Sequence, residues 1–265
     1  MNKGKVRFAK VSASGNDFIV IDNRKGLFSG DEKDFFRTIC RRRFSVGADG
    51  VILFEKKDGI VWVKFINPDG EEAGMCGNGG RAVSRYLVFK NIVRKSSFEM
   101  KAKDGIHKVV VNGDRVRFQI NVSDPGIRQM AVEIDEELYN GFLLNTGVSH
   151  FILFEKDIRK INVRETGKAV RELPVFLPSG TNVNFVQIIN KNEALIRTFE
   201  KGVEDETYAC GTGAVASVIA GVSQGFFTYP VDMIFKGGML QIIKENNEFF
   251  IEGKVIISYF GEIDY

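Results

Sequence analysis

A cysteine followed by glycines, placed where a helix begins, occurs twice in this chain of 265 residues. MCGNGGRAVSRYLV (75–88) returns as ACGTGAVASVIAGV (209–222), an offset of 134 residues from Cys76 to Cys210. Solenoid repeats recur every ~20–50 residues. A period of half the chain instead calls for two similar halves facing each other. Both copies read Cys-Gly-x-Gly, then small residues and a helical stretch. Glycine loses more conformational freedom on folding than any other residue. Its clustering here argues that the backbone must approach another group closely: a neighbouring segment, a phosphate or a substrate.

The rest of the composition narrows the class. Hydrophobic residues make up 44% and charged residues 27%, which is globular composition. The net charge of +3 is too balanced to argue for nucleic acid or an anionic membrane. No apolar run approaches the ~18 residues of a membrane span, and the N-terminus lacks a signal-peptide core. The expected location is the cytoplasm. Three cysteines, Cys40, Cys76 and Cys210, do not make a disulfide scaffold. The two histidines, His107 and His150, show no ligand spacing, so no metal is expected.

Along the first half, VRFAKV, DFIVIDN, GVILFEK and IVWVKFIN read as strands. DEKDFFRTICRRRF reads as a helix with Phe35, Phe36, Ile39 and Cys40 on one face. Cys40 there is a small hydrophobe, and Arg41 to Arg43 form a solvated end. RAVSRYLVFK is a second helix, and short strands fill residues 96–122 with a hairpin at NGD. VSDPG (122–126) is the best candidate boundary. The expected domains are 1–121 and 122–255. In the second half, strands around 142–155 and 182–199 lead to a helix at 211–224, followed by hairpins.

A helix N-terminus offers unpaired N–H groups and a positive dipole end, which together bind anions. The same field lowers a thiol's pKa from ~8.5 toward ~3.5–7.5. Two such loops facing each other suit stereoinversion at a carbon that bears a carboxylate. One thiolate removes the proton, the opposite thiol delivers one, and N–H donors hold the charge that develops. One copy alone would more often be a turn or a phosphate loop. A binding protein with a thiol switch and a pyridoxal-phosphate racemase stay open on these residues.

At these motifs the chain resembles the diaminopimelate epimerases, which are cofactor-independent. The resemblance is carried by GNDFIVID (15–22), GADGVILF (47–54), NPDGEEAGMCGNGGR (67–81), NTGVSHFILF (145–154), TNVNFVQI (181–188) and FEKGVEDETYACGTGA (199–214). It implies an α+β fold of two pseudo-symmetric halves, each a mostly antiparallel sheet curled around a central helix, with the active site in the cleft between them and a C-terminal strand, 256–265, that returns to the first half. It implies conversion of L,L-diaminopimelate to the meso form by Cys76 and Cys210, with no cofactor and no metal. His150 and Glu200 would adjust the thiols. Asn16, Asn67, Gly77, Asn78, Asn182, Glu200, Lys201, Gly211 and Thr212 would bind substrate. Read without the resemblance, Asn16 and Asn67 suit turns, Asn182 a loop, His150 a half-buried site and Glu200 a solvated strand end. The implied partner is a small amino acid, with no nucleic acid and no membrane; a homodimer is compatible.

Two stretches depart from the family pattern. Gly147-Val148-Ser149-His150 stands where Gly-Asn-Pro-His is usual, and Glu200-Lys201-Gly202 where Glu-Arg-Gly is usual. Both belong to recognition of the substrate's far end. Val148 has no hydrogen bond to give, and lysine lacks arginine's bidentate fork. Acceptance of amino acids without a distal carboxylate, such as lysine, is therefore a second expectation.

Overall fold

The computed structural model describes residues 4–29, 31–122, 124–134 and 136–265. The expected boundary at 122–126 includes Ser123, which lies outside the described residues. The chain divides into two compact units. One holds the residues up to Gln119 together with Gly253–Tyr265, and the other is Ile120–Glu252.

The first unit runs β1 (Lys5–Ala13), β2 (Asn16–Asp22), α1 (Lys33–Cys40), β3 (Gly50–Lys57), β4 (Ile60–Ile66), α2 (Gly77–Phe89), β5 (Ser97–Ala102), β6 (Gly105–Asn112) and β7 (Arg115–Ile120). The second runs β8 (Arg128–Ile134), β9 (Glu137–Asn145), β10 (Ser149–Phe154), α3 (Val163–Arg171), β11 (Asn182–Asn190), β12 (Glu193–Glu200), β13 (Asp205–Thr207), α4 (Gly211–Ser223), β14 (Val231–Phe235), β15 (Gly238–Glu245) and β16 (Glu248–Asp264).

The repeat extends to strand pairing. In the first unit β1–β2 is antiparallel, β2–β3 parallel, β3–β4 antiparallel, β4–β5 parallel, and β5–β6 and β6–β7 antiparallel. In the second, β9–β10, β10–β11, β11–β12, β12–β14, β14–β15 and β15–β16 follow the same order of types. Parallel neighbours need a crossover. In each unit the first crossover carries the short helix, α1 or α3, and the second carries α2 or α4. Beside β9 lies antiparallel β8. Beside β1, the same place is taken by the C-terminal part of β16, which pairs from Val255 to Asp264.

Each unit has its own core. In the first, Phe28 packs on Phe35, Phe36 and the C-terminal Tyr265, over Ile19, Ile21, Val51 and Leu53. In the second, Phe151, Phe176, Phe185 and Phe199 close over Val163 and Val170 of α3. Sequence reading left α3 out. Its start is marked by Asn162, whose side chain accepts from the Glu165 N–H at 3.4 Å. That Asn-x-x-Glu pattern is a capping signal, but the segment's few apolar residues hid it.

α2 and α4 are buried along most of their length. Small residues make this possible. A Cβ on Gly79 would stand 2.8 Å from the Phe65 ring, and one on Gly80 would stand 2.5 Å from the Phe118 ring. These two glycines therefore let helix and sheet meet, which is the neighbouring-segment alternative among the three the sequence left open.

Candidate active site

The two cysteines occupy the same local position. Cys76 is the N-cap of α2 with φ −122° and ψ 112°, and Cys210 is the N-cap of α4 with φ −121° and ψ 108°. Each carbonyl accepts the first helical hydrogen bond, from Gly80 N at 2.7 Å and from Ala214 N at 3.0 Å. The extended cap residue thus holds its thiol at the helix start, among N–H groups that have no partner within the helix. The Cys76 sulfur accepts from the Gly79 N–H at 3.4 Å. Cys76 is half-buried and Cys210 is buried.

Around Cys76, side-chain amides are held in a fixed sense. The Arg81 guanidinium donates to Asn78 Oδ1 at 2.6 Å. Asn78 Nδ2 donates to Asn16 Oδ1 at 2.6 Å, and Asn16 Nδ2 donates to Asp49 Oδ2 at 3.1 Å. A cation at one end and a carboxylate at the other leave no freedom in which amide end is oxygen. Arg81 is completely buried and also reaches Ser14 Oγ at 3.0 Å. Burial pushes its guanidinium down to about 10, and attraction to Cys76 works against that fall. Arg42, read from sequence as part of a solvated end, is exposed yet clamps Asp17 and Asp49. Lys10 joins Asp17 from the buried side at 2.9 Å. Burial raises the Asp17 carboxyl, but Arg42 and Lys10 outweigh it and bring it down to about 2. Cys40, beneath this cluster, is pushed up to about 12 by burial and behaves as the small hydrophobe its helix face suggests.

Near Cys210 stand a hydroxyl and an imidazole. Thr212 Oγ1 lies 3.5 Å from the Cys210 sulfur and 3.0 Å from His150 Nε2. His150 is completely buried, and desolvation lowers its pKa to about 3, so its ring is uncharged. Its Nδ1 faces Asn184 Nδ2 at 3.1 Å. Thr146 Oγ1 donates to the Thr212 carbonyl at 3.0 Å, which fixes the loop from below. Among the described residues, no group of three or more His, Cys, Asp or Glu side chains is placed to hold a metal ion. Among the described residues, no helix is long and apolar enough to cross a membrane.

The family model described as diaminopimelate epimerase matches residues 8–125 and 142–258. The diaminopimelate epimerase of Hydrogenobaculum sp. (strain Y04AAS1) is 37% identical, over 97% of this chain and 98% of its own. That of Aquifex aeolicus (strain VF5) is 37% identical over the same shares of the two chains. The chain belongs to the diaminopimelate epimerase family. It is accordingly an isomerase, and a purely ligand-binding role is set aside. The fold is shared more widely than the family's sequence. A phenazine biosynthesis protein of the PhzF family from Enterococcus faecalis superposes with TM-score 0.75 at 17% identity, over 98% of this chain and 99% of that one. A probable proline racemase from Agrobacterium radiobacter K84 gives 0.71 at 13% identity, over 97% and 92%.

As a diaminopimelate epimerase family member, the chain gathers its expected site residues in two groups. Asn16, Gly77 and Asn78 surround Cys76, while His150, Gly211 and Thr212 surround Cys210. Asn67 sits in the exposed turn after β4, where its backbone bonds Glu71 and Gly70. Asn182 ties two segments together, donating to the Ser149 carbonyl at 3.2 Å and accepting from Lys201 N at 2.8 Å. The Lys201 amine donates to the Ser179 carbonyl at 2.9 Å. Glu200 ends β12, half-buried, opposite Asp205 of β13. Val148 is 41% exposed at the tip before β10. Sequence reading missed Arg81, Asp49 and Asn184. All three lie inside the motifs that carry the family resemblance, but only their burial and partners separate them from surface residues of the same type.

Proposed function

We propose that this chain interconverts L,L- and meso-diaminopimelate without a cofactor, with Cys76 and Cys210 as the two acid/base groups. The observation that carries this reading is the repeated cap: two cysteines with matching backbone angles, each at the start of a buried helix. One thiolate takes the α-proton while the other thiol returns one on the opposite face. The reaction requires both sulfurs to reach one α-carbon. Loop N–H groups at Gly77–Asn78 and Gly211–Thr212 hold the reacting carboxylate, whose charge grows in the transition state. Asn16, Asn67, Asn182, Glu200 and Lys201 complete the substrate contacts, and His150 and Glu200 adjust the thiols. The product would feed lysine and peptidoglycan-precursor synthesis in the cytoplasm.

In D2O the wild-type enzyme is expected to place deuterium at Cα of L,L-diaminopimelate while forming the meso isomer. Positioned acid–base catalysis contributes about 10²–10⁴-fold, so Cys76→Ala and Cys210→Ala are each expected to lose inversion by at least that factor. Full inversion in either folded variant would refute the two-thiol scheme.

The far end of the site supports a broader substrate range. Val148 can make no hydrogen bond with its side chain, and the Lys201 amine is already engaged by Ser179. The comparison of kcat/KM for L,L-diaminopimelate and L-lysine tests this. A preference for diaminopimelate above about 10⁴-fold, the discrimination of a tight polar site, would end the broad-specificity reading.

A further inference from the structure

We infer that Asn184 is a positioning residue that fixes the tautomer of His150 and so aims a hydrogen-bond donor, through Thr212, at the Cys210 sulfur. This rests on the proposed role of Cys210 as an acid/base thiol. The orientation of one amide is fixed at both ends. The same terminal atom of Asn184 lies 3.4 Å from the Phe151 carbonyl oxygen and 3.1 Å from His150 Nδ1. A backbone carbonyl can only accept, so that atom is the NH2 group. The other end, Oδ1, accepts from the Thr198 hydroxyl at 3.0 Å. Asn184, Thr198 and His150 are all fully buried, so no water competes for these bonds.

The consequence passes along the chain of contacts. His150 Nδ1 faces a donor and must be the bare, accepting nitrogen. In a neutral imidazole the proton then sits on Nε2. Nε2–H donates to Thr212 Oγ1 at 3.0 Å. Thr212 Oγ1, having accepted there, directs its own proton outward, and the Cys210 sulfur lies 3.5 Å away. A donor aimed at sulfur favours the thiolate over the thiol. No proton needs to move along this series. It sets polarity only.

One glycine of the repeated motif belongs to the same arrangement. A Cβ on Gly213 would stand 2.3 Å from Asn184 Oδ1 and 3.3 Å from the Cys210 sulfur. The second glycine of Cys-Gly-Thr-Gly therefore makes room for the Asn184 amide beside the thiol. The neutral state of the ring agrees with its lowered pKa.

Two variants test the inference in the full-length enzyme. Asn184→Asp keeps the shape but turns the donor into an acceptor, so the His150 proton should move to Nδ1. Asn184→Ala removes the donor without adding a charge and serves if the aspartate variant does not fold. Two readouts require no substrate. Ring nitrogen chemical shifts in labelled protein report the His150 tautomer, with His107 as the only other histidine to assign. Iodoacetamide alkylation against pH, followed by mass spectrometry of each cysteine peptide, reports the thiols separately.

Wild type should show the Nε2–H tautomer. In Asn184→Asp the tautomer should switch and the Cys210 alkylation midpoint should rise by about one pH unit, a tenfold change in thiolate at fixed pH. Asn184→Ala should move Cys210 the same way, and Cys76 should stay in place in both. A folded variant whose Cys210 profile superimposes on wild type, or wild-type protein carrying its proton on Nδ1, would overturn the inference. Failure of the two-thiol reading would appear elsewhere, as undiminished inversion by Cys210→Ala.

Discussion

Replacing Gly80 by alanine separates two explanations of the glycine cluster. If Gly80 serves only as backbone next to a ligand, the alanine variant should gain stability, because alanine is better than glycine inside a helix by about 1 kcal/mol. The packing predicts the opposite. The new Cβ would stand 2.5 Å from two carbons of the Phe118 ring. Ordinary carbon contacts lie at about 3.5–4.0 Å, so the overlap is about 1 Å. Phe118 is fully buried and cannot retreat easily. Its ring stacks on His107 at 4.9 Å, and both nitrogens of His107 are held at 3.0 Å, by the Gln119 carbonyl and by Asp104. Overpacking of this kind costs about 1–3 kcal/mol or more. With the propensity gain subtracted from the upper part of that range, Gly80→Ala should lose about 1–2 kcal/mol, or about 2–8 °C in Tm. Calorimetry or urea unfolding measures this. Phe118→Leu in the same background should recover part of the loss, with a coupling of about 1 kcal/mol in the double-mutant cycle. A Gly80→Ala protein as stable as wild type, or more so, would refute the packing account.

Two further outcomes follow from the charges near Cys76. The Asp17 carboxyl falls from 3.8 to about 2 in the folded chain. A depressed folded value stabilises above the unfolded pKa and is lost as pH falls through about 2. Asp17→Asn should therefore be less stable by up to about 2 kcal/mol near pH 7, and its difference from wild type should shrink between pH 4 and pH 2 in urea titrations; a pH-independent difference would contradict this. Arg81→Met removes a buried cation attracted to Cys76. The Cys76 alkylation midpoint should rise by about one unit while that of Cys210 stays; an unmoved Cys76 would show that Arg81 acts only through its hydrogen-bond partners.

Much of the site was legible because it is local in sequence. Cysteine, glycines and helix start are adjacent residues, and their repetition across half the chain requires no knowledge of packing. The strands of β1 to β4 showed in their apolar runs, and the hairpin between β15 and β16 in its paired asparagines. Asn246 and Asn247 take φ values of 47° and 65° there, a conformation asparagine tolerates. α3 was not legible, since its buried face is only Val163, Gly167 and Val170, and Gly167 reads as a packing residue only once Phe199 is seen against it.

The sequence by itself determined that two thiols sit at two helix starts in two similar halves, and to which family the chain belongs. Tertiary structure alone decided what those motifs rest on. Gly79 and Gly80 answer to the rings of Phe65 and Phe118, and Gly213 to the amide of Asn184. The sense of the Asn16 and Asn184 amides depends on partners far away in sequence, Asp49 for Asn16 and Phe151 for Asn184. Hydrogen-bond direction is set by which groups burial brings within about 3 Å, and spacing along the chain carries no record of that.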